Sequence, residues 1–226
     1  MQIRFAVGAE TVTFECDTAL HKQADWLLGV LRDIASERGN SFFAPGRTIQ
    51  LGWSLLTLVR EGGELQVHEP DFDADPFTRT RKNLTVTLTV IAQQNDWLHR
   101  LGAEPTAVDY RDKIFVADGA LKTDSVFLQR LPRGESEGDS GWAMKLLSDP
   151  KRDTTWEWVF VFALIRFRPW YLPFLTLPVG FIVVPRRPVG RHPRLRQQDR
   201  LLPMTGRLKI ASAARCGTVG RRSGCS

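Results

Sequence analysis

Ser140 sits in Gly138-Asp139-Ser140-Gly141, where glycines free the backbone around a hydroxyl that could serve as a nucleophile. Such a serine needs a histidine to take its proton and a carboxylate to orient that histidine. Residues 1–184 offer His21, His68 and His99, and none stands in a recognisable catalytic context. Asp71, Asp73 and Asp75 have the spacing of oxygen ligands at the start of a calcium loop. That loop also requires glycine at its sixth position and glutamate at its twelfth, where this chain has Pro76 and Lys82, so a solvated turn is expected. His68-Glu69 lacks the second histidine of a zinc-protease helix. Cys16, Cys216 and Cys225 give neither zinc-ligand spacing nor a disulfide framework, which points to a reducing compartment. The expectation is a protein with no catalytic residue, no metal and no cofactor, with a serine hydrolase using Ser140 as a distant alternative.

The stretch Gly134-Glu135-Ser136-Glu137-Gly138-Asp139-Ser140-Gly141-Trp142 supports a different reading. Three glycines and three carboxylates in nine residues make an exposed turn, and the tryptophan beyond it supplies a large apolar anchor. Gly138-Asp139-Ser140-Gly141 resembles the segment around the nucleophilic serine of trypsin-like proteases. That family, however, needs a second glycine at the oxyanion site where this chain has Trp142. Glu135, Glu137, Asp139 and Ser140 are therefore the candidate partner-binding residues, with Gly138, Gly141 and Trp142 as structural anchors. An acidic surface of this kind steers a basic partner and confers specificity on the contact.

Charge is divided sharply along the chain. Although the pI is near 9.6, residues 185–226 hold eleven cations against the single acid Asp199. That net of +10 leaves residues 1–184 at −4. The arginine-rich tail lacks interleaved aromatics or any recognisable nucleic-acid module, so no specific nucleic-acid binding is expected. Apolar periodicity is lost after Val184, which predicts a basic tail of low order. A frame change in the underlying gene is the competing explanation of its composition. No signal-peptide pattern opens the chain, and a cytoplasmic location follows by default. Val159 to Val184 is apolar, but prolines 169, 173 and 178 and arginines 166 and 168 interrupt it, so a buried core segment is expected there and no membrane span.

Elements must position the turn. Alternating Ile3, Phe5, Val7 and Val12, Phe14, Cys16 around Gly8-Ala9-Glu10 predict a hairpin. Leu20, Ala24, Leu27, Leu31 and Ile34 predict a helix, capped by Thr18, over Ala19 to Ser36. A second hairpin turns at Glu61-Gly62-Gly63-Glu64. Asn83 to Leu101 fits both strand and helix spacing, and its length favours a helix. Strands are expected at Lys113 to Ala117, Val126 to Leu131, Trp142 to Leu147 and Phe181 to Val184, with Trp156 to Phe167 a strand or a buried helix. The fold class is α+β, a mixed and mostly antiparallel sheet packed by two main helices. Residues 1–47 form an N-terminal hairpin and helix packed with a body at 48–184, and 185–226 the basic tail.

The acidic turn, followed about thirty residues later by Pro173-Phe174-Leu175-Thr176-Leu177-Pro178-Val179-Gly180, resembles the immunity protein 33-like domain family of bacteria. That family shows an acidic Glu-x-x-Gly-Asp-Ser-Gly-Trp turn and ends near a Leu-x-x-Pro-x-Gly segment. Ile49-Gln50-Leu51-Gly52-Trp53 with Glu69-Pro70-Asp71 resembles its longer members, so the resemblance covers roughly residues 48–184. The chain departs from the family after Gly180, turning basic at Arg186 where members usually close with an acidic segment. The resemblance implies a non-enzymatic binding protein whose partner is a cognate toxin, and the acidic turn adds the expectation of a basic surface on that toxin. A structural or regulatory module with another protein partner is the alternative, and the oligomeric state stays open.

Overall fold

A computed structural model describes residues 1–147, 155–184 and 201–203. Its first half is a six-stranded sheet with helices on one face. Strand β1 (Gln2–Val7) and β2 (Glu10–Glu15) form the expected first hairpin. Helix α1 (His21–Arg38) follows, entered through a short 3-10 turn whose Ala19 amide is capped by Asp17, not by the expected Thr18. Next come β3 (Thr48–Leu51), β4 (Ser54–Glu61), β5 (Glu64–Pro70) and the short β6 (Thr80–Arg81). The sheet order is β1-β2-β5-β4-β3, with β6 beside β5 and a parallel step between β2 and β5. Helix α2 (Thr85–Leu101) resolves the ambiguous segment as a helix. Its buried Thr87, Leu88, Val90, Ile91, Gln94 and Leu98 lie at helical spacing, and Gly102 ends it in the left-handed conformation.

The second half builds another six-stranded sheet. Strands β7 (Lys113–Ala117), β8 (Val126–Arg130), β9 (Asp139–Leu146), β10 (Trp156–Phe160), β11 (Phe181–Val183) and β12 (Leu201–Pro203) lie in the order β10-β7-β9-β8-β11-β12. Only β7 and β9 are parallel. The expected strands therefore exist but divide between two sheets. Short helix α3 (Leu164–Phe167) and the 3-10 segment Pro169–Phe174 connect β10 to β11. The buried run Tyr171–Leu177 covers one face of the second sheet, and Gln94 of α2 reaches it through a hydrogen bond to the Leu172 carbonyl at 3.0 Å. One apolar core joins the halves.

Two expectations are corrected. The apolar stretch from Val159 onward is a core segment only in part. Trp156 to Phe167, expected as a strand or a buried helix, is a strand as far as Phe160, an exposed edge strand that then gives way to short helical turns. Strand β9 begins at Asp139, so the end of the acidic stretch is already sheet. The low-order tail concerns residues that, apart from β12, lie outside the described ones.

Candidate functional site

The acidic stretch is the connection between β8 and β9, and a glycine decides its path. Gly141 has φ +77°, and a Cβ there would stand 2.6 Å from the Leu131 carbonyl oxygen, so a side chain is excluded by conformation and by space. Gly138 also has positive φ, +74°. Its carbonyl accepts from the Lys113 amide at 2.6 Å, tying the loop to the start of β7. Arg133, at the stem, donates to the carbonyl of Ala107 and to Asp112.

Asp139 closes the loop on itself. One carboxylate oxygen accepts from the Gly134 amide at 2.6 Å and the other from the Gly141 amide at 2.7 Å. These charge-assisted bonds hold the turn in one shape. Ser140, expected among the contact residues, is fully buried, and its hydroxyl accepts from the Trp142 amide at 3.1 Å. Burial takes it off the surface that a partner would meet, so its contribution here is to the turn. Glu135 and Glu137 remain exposed, with Asp139 half-buried between them and the sheet.

Beneath the loop lies a residue that the sequence reading missed. Arg130 is 1% exposed; it donates to the Ser140 carbonyl and lies 5.3 Å over the Trp142 ring. Its Nε has no hydrogen-bond partner. Burial, reinforced by nearby Arg133, lowers its pKa to about 10, so it stays charged at neutral pH under a loop bearing three carboxylates. The signal was present: Val126, Leu128 and Arg130 alternate on one face of β8, which places the arginine inward. Trp142 itself is 1% exposed and its indole N–H donates to the Leu175 carbonyl at 2.8 Å. That bond joins the turn to the Pro173–Gly180 segment, the two stretches on which the family resemblance rests.

The other candidates go elsewhere. His68 bonds Thr80 and Gln66 in the first sheet, far in its contacts from Ser140. Asp75 caps its own turn through Phe77 and Thr78, and Asp73 pairs with Arg81. No group of three or more His, Cys, Asp or Glu that could hold a metal exists among the described residues. No described helix is long and apolar enough to cross a membrane.

Fold and loop thus define an α+β protein that presents two glutamates on a braced turn. Residues 93–189 match the Imm33-like domain family, as the acidic turn and the Leu-x-x-Pro-x-Gly segment indicated. The matched span runs from the second half of α2 past β11 and contains the whole loop, while the first sheet lies before it. Comparison with curated proteins and with solved structures gave no match.

Proposed function

We propose that this chain is a non-enzymatic immunity protein that neutralises a cognate toxin by direct binding, with Glu135 and Glu137 contacting a basic patch on the toxin. The observation that carries the reading is the Imm33-like match, which encloses the acidic loop and the Trp142–Leu175 bond that supports it. The bracing of the loop adds to this. A turn held by both oxygens of Asp139 loses little conformational entropy when a partner arrives, so its two free glutamates are preorganised for contact. Ser140 is spent on the turn, and its hydroxyl bonds backbone in place of a histidine, which weighs against the hydrolase reading.

Association kinetics test the proposal. With the purified product of the neighbouring gene as partner, Glu135→Lys combined with Glu137→Lys should slow association by about tenfold and flatten its dependence on salt, because rim charges act chiefly on encounter. The thermal midpoint should hardly move, since exposed loop charges contribute little to folding. Unchanged association in the folded double variant would remove the loop from the interface.

A further inference from the structure

The two sheets turn opposite kinds of face to solvent. On the first sheet, the face opposite the apolar core pairs Arg4 with Thr13, Thr57 with His68 and Val59 with Gln66, with Thr13 and His68 buried and the others partly or fully exposed. That face is mainly polar and carries no run of exposed rings among the described residues. On the second, Trp156, Trp158 and Phe160 of β10 all point to the side away from the core, at 37, 45 and 36% exposure. Register places Trp158 beside Phe115 and Phe160 beside Lys113. The rings form a continuous strip: Phe115 stacks on Trp156 at 4.6 Å and lies 4.9 Å from Trp158, and Phe77, 48% exposed, sits 5.0 Å from Phe160. Exposed apolar surface on this strip is on the order of 350 Å², within the range of the largest apolar patch on a monomer, which is often functional.

Charge says what kind of molecule fits. Lys113 lies 5.9 Å over the Phe160 ring, and Lys145 donates to Gln129 at 2.7 Å on the same face. Neither has a carboxylate partner among the described residues. The acidic loop adjoins the Phe160 end, because Lys113 registers with both Phe160 and Asp139 and its amide bonds the Gly138 carbonyl. A second copy laid strip on strip would set these lysines against lysines, since the nearest acids, Asp139 and the loop glutamates, lie beyond the Phe160 end. A nucleic acid would find two cations on the strip and glutamates at its end, on a body of net charge −4. A protein with an apolar ridge, carboxylates toward Lys113 and Lys145, and a basic side chain toward Glu135 and Glu137 complements every feature. The strip also falls short of the roughly 800 Å² per partner that a stable interface buries, so strip and loop are needed together.

We infer that the aromatic face of the second sheet is the apolar centre of the toxin-binding surface, with the acidic loop as its rim; this rests on the immunity reading above. Central tryptophans hold a complex together, whereas rim charges speed its formation. Against the purified product of the neighbouring gene, Trp158→Ala should weaken binding about 30-fold through faster dissociation. The loop charge reversal acts on association instead. Trp158→Tyr should retain most of the affinity, and Lys145→Glu, which touches no core ring, should weaken binding and reads the same face if Trp158→Ala does not fold. Wild-type binding with Trp158→Ala and Lys145→Glu both within twofold would overturn this inference and leave the immunity proposal standing. No binding by the wild-type chain would sink both. A dimer seen by sedimentation that Trp158→Ala abolishes, or binding of a twelve-nucleotide oligothymidine that it abolishes, would assign the face to a second copy or to single-stranded nucleic acid and overturn the inference.

Discussion

At the scale of single residues, the loop works because its polar side chains are turned inward on the backbone. Asp139 and Ser140 spend their oxygens on amides of the turn, Arg130 supplies a buried cation beneath it, and Glu135 and Glu137 are the carboxylates left exposed to solvent. Composition told us that the stretch was acidic and glycine-rich; it did not tell us which oxygens the backbone would claim. That depends on where β9 starts, and β9 starts inside the acidic run. Trp142 was legible, because a large ring next to a polar turn has nowhere to go but the core. Trp142→Ala should cost about 3–5 kcal/mol, as truncation of a fully buried aromatic does. Urea unfolding measures the loss. The wild-type minus variant emission spectrum should be blue-shifted, as expected of a buried indole.

At the scale of elements, alternation and helical spacing located most of the strands and both long helices. Lys113–Ala117 falls where the sequence put it, and the segment from Asn83 folds as a helix because its length lets one face meet the core. At β10 the strand alternative holds, but the exposure of its rings was not legible, for a physical reason. Trp156, Trp158 and Phe160 at period two say that three rings share a face, but not whether anything covers that face. A further join between elements was invisible until the fold was known. Buried Glu69 of β5 accepts from the Thr87 amide in the first turn of α2 at 2.7 Å and from Arg81 at 2.9 Å. Burial raises its carboxyl above the ordinary value near 4.5, a shift that the Thr87 and Arg81 bonds only partly offset. The native chain therefore keeps this proton to higher pH than the unfolded chain. Its contribution to stability is greatest below the ordinary value and falls as pH rises through the native value. Glu69→Gln cannot titrate there. Urea midpoints measured upward from about pH 4.5 should show the stability of the wild type falling relative to that of Glu69→Gln. Wild-type stability that rises with pH relative to that of Glu69→Gln would contradict the assignment.

At the scale of the molecule, two sheets share one core but differ in what they offer to solvent. The first turns out polar residues; the second turns out aromatics on its outer face and glutamates at the rim, and all of these lie within the Imm33-like span. Such a division suits a body whose second half does the binding while its first half braces α2 from behind. The most direct test is survival of cells that co-express this chain with the product of its neighbouring gene as the candidate toxin. Wild type and Ser140→Ala should protect equally, because protection by binding needs no nucleophile and the serine hydroxyl bonds the Trp142 amide. Glu135→Lys with Glu137→Lys should protect less while accumulating to the same level. Killing unaffected by the wild-type chain would contradict the neutralising role, and protection lost in a folded Ser140→Ala variant that still binds the toxin would show that protection depends on chemistry at that hydroxyl.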